Sequence, residues 1–151
     1  DIEVVTARCF AFVGPYLNLD IHFAIGNFIR DGLEKRPIII KGDGSPLRSY
    51  LYAADLVVWL LTILCKGQSG RVYNVGSEHA TSIADLAQTV AGSFDVSPEV
   101  FVAKKQDLNV QPERYVPDIS RAKEELGLSC LTNLEDSIKR TIEFYQAEYL
   151  S

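Results

Sequence analysis

Lys41-Gly42-Asp43-Gly44-Ser45-Pro46-Leu47-Arg48-Ser49-Tyr50-Leu51-Tyr52-Ala53-Ala54-Asp55 is the stretch around which the 151-residue chain is read. Glycine, serine and proline crowd between Gly42 and Pro46 and predict a tight turn. Arg48 to Tyr52 then predicts a short aromatic strand. From about Ala54 to Cys65 the chain is apolar almost all round, which predicts a central, buried helix. Arg48 stands just after the turn with no carboxylate beside it in sequence, and a guanidinium there suits a bidentate contact with phosphate.

Upstream, residues 3–13 are rich in β-branched and aromatic side chains and predict a strand stopped by Gly14-Pro15. Its apolar residues fall on both faces, as in a strand buried within a parallel sheet, so it reads as the edge of a larger sheet. Ile25, Phe28, Ile29 and Leu33 predict a helix over about 21–35, with Asp20 as its cap and Pro37 beyond its end. Residues 38–41 predict another short strand.

Downstream, residues 71–75 predict a strand ending at Gly76. Ser82-Ile83-Ala84-Asp85 has the capping-box pattern, ahead of a stripe of Ile83, Leu86, Ala87, Val90 and Ala91. Residues 99–104 predict a strand, and Lys105 to Pro117 a polar surface loop. Asp118 caps a short helix ended by Gly127, and Thr132-Asn133-Leu134-Glu135 opens a last helix with Leu134, Ile138, Ile142 and Tyr145 on one face. The fold class is α/β, with short strands and about five helices.

Composition narrows the function. The chain is 47% hydrophobic and 23% charged, an ordinary globular balance, with a net charge of −5. That charge argues against a nucleic-acid or anionic-membrane partner, so an anionic ligand must be held by locally placed arginines. Cys9, Cys65 and Cys130 form no metal-site spacing, and their apolar contexts predict buried thiols in a reducing compartment. No signal-peptide pattern opens the chain, and the apolar run from Leu56 to Cys65 is half a membrane span. A cytoplasmic location is expected. The start at Asp1-Ile2-Glu3-Val4-Val5, without methionine, reads as a piece of a longer protein.

No glycine-rich nucleotide loop, nucleophile elbow, metalloprotease motif or P-loop is present, and Gly42-Asp43-Gly44 leads into a strand rather than a helix. His22 and His79 lie far apart and read as local in role. The remaining candidates are of binding type. Arg8, inside a strand, needs either a carboxylate or a ligand. Asn27 interrupts an apolar stripe and is either solvated or a ligand contact. Asn74, just before Gly76, is either a turn asparagine or a polar contact, and Arg114 is either a surface charge or a loop binding residue.

The order of these blocks carries more than any one residue. Arg8-Cys9-Phe10-Ala11-Phe12-Val13-Gly14-Pro15, Gly26-Asn27-Phe28-Ile29, the Gly42–Leu56 stretch, Tyr73-Asn74-Val75-Gly76-Ser77, Arg114-Tyr115-Val116-Pro117-Asp118-Ile119-Ser120-Arg121-Ala122 and Glu125-Leu126-Gly127 run through nearly the whole chain. Together they resemble the extended short-chain dehydrogenase/reductase family, the NAD-dependent nucleotide-sugar epimerases, 4,6-dehydratases and UDP-glucuronate decarboxylases. The resemblance implies that residues 1–15 are a residual strand of an incomplete Rossmann sheet and residues 16–151 a nucleotide-sugar-binding lobe. It implies that the NAD loop and the Tyr-x-x-x-Lys catalytic pair belong to an absent half, so that no catalytic residue lies in this chain.

By the same resemblance Arg48 clamps a nucleotide-sugar diphosphate, Asn27 contacts a diphosphate oxygen, Arg114 lies near ribose and phosphates, and Asn74 supports. Residues 37–41 border the base. The implied chemistry removes hydride from the sugar C4 to NAD, giving a 4-keto intermediate, and the implied full-length protein is a homodimer. Two positions depart from the pattern: Ala11 stands for a common asparagine and Val13 for the usual tyrosine, which implies altered sugar specificity or relaxed dependence on that contact. A second function class, a non-catalytic nucleotide-sugar-binding or interaction module, shares the pocket and differs only in the absent half.

Overall fold

Apolar residues at helical spacing build one core from three helices. The computed structural model describes residues 2–21, 23–107 and 109–149, so His22 lies outside the described residues. Helix α1 (Ala24–Leu33) buries Ile25, Phe28 and Ile29. Helix α3 (Ile83–Gly92) buries Leu86, Ala87, Val90 and Ala91, and α5 (Leu134–Tyr149) contributes Ile138 and Ile142 to the same cluster. Strand β3 (Ile38–Ile40) adds Ile38 and Ile40 and pairs in parallel with β8 (Val100–Val102).

A second cluster surrounds another parallel pair. β1 (Thr6–Cys9) runs beside β6 (Val72–Val75) in the register Thr6↔Val72 to Cys9↔Val75. Helices α2 (Ala53–Lys66) and α4 (Ser120–Leu126) pack there through Trp59, Ile63 and Ala122 against Tyr73 and Val75. Two side-chain hydrogen bonds tie distant segments to this cluster. Trp59 Nε1 donates to the Ser129 carbonyl at 3.1 Å, and Tyr73 Oη donates to Glu125 Oε2 at 2.8 Å.

Several elements divide more finely than expected. The first strand splits into β1 and β2 (Phe12–Val13), because the chain changes partner between them: the Phe10 amide still donates to Val75, whereas the Ala11 carbonyl accepts from Leu51. β2 pairs in parallel with β5 (Leu51–Tyr52). The strand expected over Arg48 to Tyr52 splits likewise. Its first part, β4 (Leu47–Arg48), is the centre of a three-stranded sheet, antiparallel to β7 (Thr81–Ser82) and parallel to β9 (Arg114–Tyr115). The expected loop from Lys105 to Pro117 therefore contains a strand, and Arg114 is on it.

The caps are partly as read. Ser82 Oγ accepts from the Asp85 amide at 3.0 Å, and Asn133 Oδ1 accepts from the Asp136 amide at 2.8 Å. Asp118 is not the N-cap of α4: Ile119 is, without a side-chain cap bond, and Asp118 Oδ1 accepts from the Ser120 amide at 2.9 Å from one residue further out, while Gly127 closes α4 at φ 66° as expected. Asp20 does not cap α1. That helix starts at Ala24 after Phe23, and Asp20 instead receives Arg30 Nη1 at 3.2 Å.

Two burial expectations are overturned. Helix α2 buries only Asp55, Trp59 and Ile63, and Val57, Val58, Leu60, Leu61 and Leu64 lie on its exposed side. An all-round apolar helix needs cover on all sides, and among the described residues only one flank of α2 has it. The thiols of Cys9 and Cys65 are exposed and Cys130 is half-buried, for Cys9 sits at an uncovered strand edge and Cys65 on the uncovered side of α2. No helix among the described residues is long and apolar enough to cross a membrane.

Candidate functional site

The glycine turn is stitched to the start of α3. The Ala84 amide donates to the Gly44 carbonyl at 3.0 Å and the Ile83 amide to the Pro46 carbonyl at 3.0 Å. Gly44 has φ +79°, and a Cβ there would stand 2.9 Å from the Ala84 Cβ, so both backbone sign and close approach require glycine. Asp43 closes the turn from within, accepting from the Ser45 amide at 3.0 Å and the Ser45 hydroxyl at 2.9 Å. The amide, then the hydroxyl, hold its carboxyl below the usual range.

This turn forms one wall of a cleft of about 680 Å³, and α1 forms the other. Asn27, Phe28 and Arg30 face Ile40, Lys41 and Gly42 across it. Arg30 is already satisfied: it donates to Asp31 at 3.1 Å and to Asp20 at 3.2 Å. The Asp31 hydrogen bond, with Asp20 adding to it against partial burial, raises its pKa. Lys41 is the cation of the opposite wall. Asn27, with its amide oriented to face two carbonyls, donates to Leu19 O at 3.0 Å and Ile21 O at 3.1 Å.

β4 leaves the turn at Pro46 and brings Arg48 against β9. Leu47 is in register with Arg114, and Arg48 with Tyr115. Arg48 Nη1 donates to the Leu47 carbonyl at 2.9 Å, and Nη2 donates to Glu113 Oε1 at 3.1 Å. Arg114 is exposed one residue on. Next to Arg48, burial pushes the Tyr50 hydroxyl up to about 12, against the opposing pull of the Arg48 charge. Tyr115 stacks on Phe10, ring centroids 5.0 Å apart, linking β9 to the end of β1.

The four binding candidates therefore fall in three places. Asn27 is in the cleft, Arg48 and Arg114 sit on paired strands that continue from its glycine wall, and Asn74 is elsewhere. Asn74 lines a smaller cavity of about 410 Å³ with Arg8 and Arg121. Its Nδ2 donates to the Asp118 carbonyl at 2.7 Å, and its Oδ1 accepts a long 3.5 Å contact from Arg8 Nη1. The partner that Arg8 finds is thus an amide, not the carboxylate expected at a strand edge. Val13 is buried in the first core cluster, and the Ala11 backbone is spent on Leu51.

Glu113 is the site residue that sequence reasoning missed. It lies 65 positions from Arg48 and only the β4–β9 pairing joins them, so no local pattern announces it. Among the described residues no cluster of three His, Cys, Asp or Glu could hold a metal ion.

Known proteins share this arrangement of elements. The profile of the NAD dependent epimerase/dehydratase family matches residues 1–76. The trifunctional UDP-glucose 4,6-dehydratase/UDP-4-keto-6-deoxy-D-glucose 3,5-epimerase/UDP-4-keto-L-rhamnose-reductase of Arabidopsis thaliana is 33% identical over 144 residues, covering 95% of this chain and 21% of that protein. UDP-glucuronic acid decarboxylase 1 of Arabidopsis thaliana is 29% identical over 150 residues, 99% of this chain and 34% of that protein. Among solved structures, UDP-glucuronic acid 4-epimerase from Bacillus cereus, in complex with UDP-glucuronic acid and NAD, superposes with a TM-score of 0.81 at 27% identity, covering 98% of this chain and 46% of that one. UDP-glucose 4-epimerase from Thermotoga maritima superposes with a TM-score of 0.82 at 24% identity and supports the fold. The chain spans about a third or less of these two curated relatives and under half of the two solved ones. With half its length matched by the profile, the chain belongs to the NAD dependent epimerase/dehydratase family.

Proposed function

We propose that this chain is the nucleotide-sugar-binding part of an NAD-dependent epimerase or dehydratase. The observation that carries the reading is the β4–β9 pairing, which sets Arg48 and Arg114 on neighbouring strands that continue from the glycine wall of the Asn27 cleft. A diphosphate is a dense acceptor of charge-assisted hydrogen bonds, and a guanidinium is a chemically matched donor; Arg48 is in register with Tyr115 and Arg114 with Leu47, so the two leave the ladder on alternate faces and would reach a diphosphate from different sides. In this reading Arg48 and Arg114 hold the diphosphate, Asn27 borders it, and residues 37–41 border the base. Asn74 supports the fold next to α4 rather than the ligand.

The residues present do not fit NAD. The glycine turn feeds strand β4 rather than a helix, and the start of α3 is taken by Ser82 and the turn itself. The dinucleotide and the redox chemistry belong, in this reading, to the remaining length that the relatives have and this chain does not span. What the chain contributes is orientation, since binding energy from the nucleotide end holds the sugar in place for chemistry elsewhere. The full-length protein is proposed as a cytoplasmic homodimer.

Calorimetric titration of the 151-residue chain with UDP tests the reading. Saturable one-to-one binding is expected, weakened roughly 10- to 100-fold by Arg48→Ala, or about 1.5–3 kcal/mol for a charge-assisted pair. The chain alone is expected to leave NAD unreduced in the presence of UDP-glucose. Absence of UDP binding, or an affinity indifferent to Arg48, overturns the assignment.

A further inference from the structure

Strand β8 is paired on one side only. The Ile38 amide donates to the Glu99 carbonyl at 2.8 Å, and the Ala103 amide donates to the Ile40 carbonyl at 2.9 Å. The backbone groups between them alternate as in any parallel ladder, so the N–H and C=O of Val100 and Val102 point away from β3. No strand pairs with that outer edge among the described residues. The face beside it is apolar and open. Ile38 and Ile40 turn into the core at 0% and 2% exposure, whereas Ile39 and its register partner Phe101 are 55% and 52% exposed, and Val102 is 49% exposed.

Lysines beside an unpaired edge ordinarily keep other strands away. This edge is charged oppositely at its two ends, with Glu99 at the entry to β8 and Lys104 and Lys105 beyond its end, all three exposed. A parallel neighbour of the same sequence would align like charges. An antiparallel one sets the acidic end of each strand beside the basic end of the other, and a two-fold axis gives that antiparallel arrangement. With the axis at Phe101, Val100 lies opposite Val102 of the second copy, and the pair exchanges both N–H···O bonds. The two Phe101 side chains then meet at the closer, non-hydrogen-bonded position, about 4.5 Å between Cα atoms, where cross-strand aromatic pairs interact best. An extended peptide of unrelated sequence satisfies the same amides but matches neither the charge pattern nor the aromatic pair.

We propose that the outer edge of β8 is a self-pairing interface, at which a second copy of this chain adds antiparallel across a two-fold axis and joins two β3–β8 pairs into one four-stranded sheet. The homodimer proposed for the full-length protein has no interface assigned to it, and this one lies wholly within the present chain. It rests on the edge geometry and holds whether or not the cleft binds a nucleotide. A three-residue edge makes a small contact, so the association is weak and concentration-dependent.

Sedimentation velocity of the 151-residue chain, carried into the high micromolar range, tests it beside amide exchange at Val100 and Val102. A monomer–dimer equilibrium is expected, with exchange at both amides slowed about fivefold or more in the dimer. Val102→Pro removes an outward amide without touching the β3 ladder and should hold the chain monomeric. Glu99→Lys in one chain, and Lys104→Glu with Lys105→Glu in another, should each weaken self-association by about tenfold through two symmetric like-charge contacts. An equal mixture of these two chains should dimerise at least as well as the parent. A chain that stays monomeric overturns the interface and leaves the full-length homodimer to other surfaces. So does a dimer that keeps unprotected Val100 and Val102 amides or survives Val102→Pro, a mixture no more associated than its components, or growth past the dimer into open assemblies.

Discussion

Arg48 and Glu113 form an ion pair, Nη2 to Oε1 at 3.1 Å, across the β4–β9 ladder. Arg48 is 25% exposed in its side chain and Glu113 is 71% exposed, so the pair is rim-like and weak by itself. Its interest lies in what it occupies. One guanidinium edge is spent on Leu47 O and the other on a carboxylate, leaving an arriving diphosphate to displace Glu113. Glu113→Gln is therefore expected to tighten UDP binding by roughly two- to fivefold, the scale of an exposed ion pair. It should also make the affinity fall more steeply with added phosphate-free salt, because binding then forms an ion pair without breaking one. Calorimetry at two salt concentrations reads both effects, and an unchanged or weakened affinity contradicts the displacement.

Asp55 carries a different kind of burden. It is 4% exposed at the first turn of α2 and accepts from the Leu131 and Thr132 amides, each at 2.9 Å, and from the Thr132 hydroxyl at 3.3 Å. It thereby fastens the segment before α5 to the start of α2. Asp55→Ala leaves the half-buried Leu131 and Thr132 amides without their acceptor and is expected to cost about 1–2 kcal/mol. Urea unfolding should show a lower midpoint with the slope unchanged, and a loss under about 0.5 kcal/mol would mean that water replaces the carboxylate.

How much of this was legible follows from which interactions are local. Ile25, Phe28 and Ile29, or Leu86, Val90 and Ala91, announce their helices because the helical repeat lies within a few residues. The Ser82 cap and the Gly127 stop are legible for the same reason. The burial of α2 was misread because composition reports what a helix can bury, whereas cover for Val57 and Leu61 depends on neighbours. Short strands that switch partner, such as β1 to β2 and β4 to β5, look continuous in sequence because the switch is a tertiary event. Ser49 and Tyr50, between β4 and β5, have strand-like composition yet serve as the crossing. The Arg48–Glu113 pair is invisible for the reason that makes it informative: only the fold brings its members together.

The glycine turn has a built-in pH dependence. Ser45 holds the Asp43 carboxyl below its ordinary range, so the folded pKa is lower than the unfolded one. The contribution is present above the unfolded value and is lost as pH falls through the folded value. The Ser45 amide should therefore keep its hydrogen-exchange protection at mildly acidic pH and lose it only below the ordinary aspartate range. Asp43→Asn should flatten that profile. A Ser45 amide whose protection tracks an unshifted aspartate would remove Asp43 from the turn. Gly44→Ala, strained at φ +79° and crowded against Ala84, should loosen the same turn at every pH, which separates charge from backbone geometry.

Asn27 offers two roles that one pair of substitutions can separate. Its amide donates to Leu19 O and Ile21 O, pinning the segment that enters α1, while the residue also lines the cleft. Asn27→Asp removes both donors and sets a carboxylate against two carbonyl oxygens, so it should release the 17–21 segment and repel a diphosphate. Asn27→Gln keeps the donors on a longer arm and is expected to restore part of either function. If Asn27 acts by pinning, proteolysis between Leu17 and Ile21 should rise in the Asp variant with no ligand present, and UDP affinity should fall in proportion. If it acts by touching the ligand, affinity should fall by roughly tenfold while the cleavage rate stays at the parent value. Limited proteolysis run beside calorimetry on both variants decides between them, and an Asp variant unchanged in both measurements would remove Asn27 from the site.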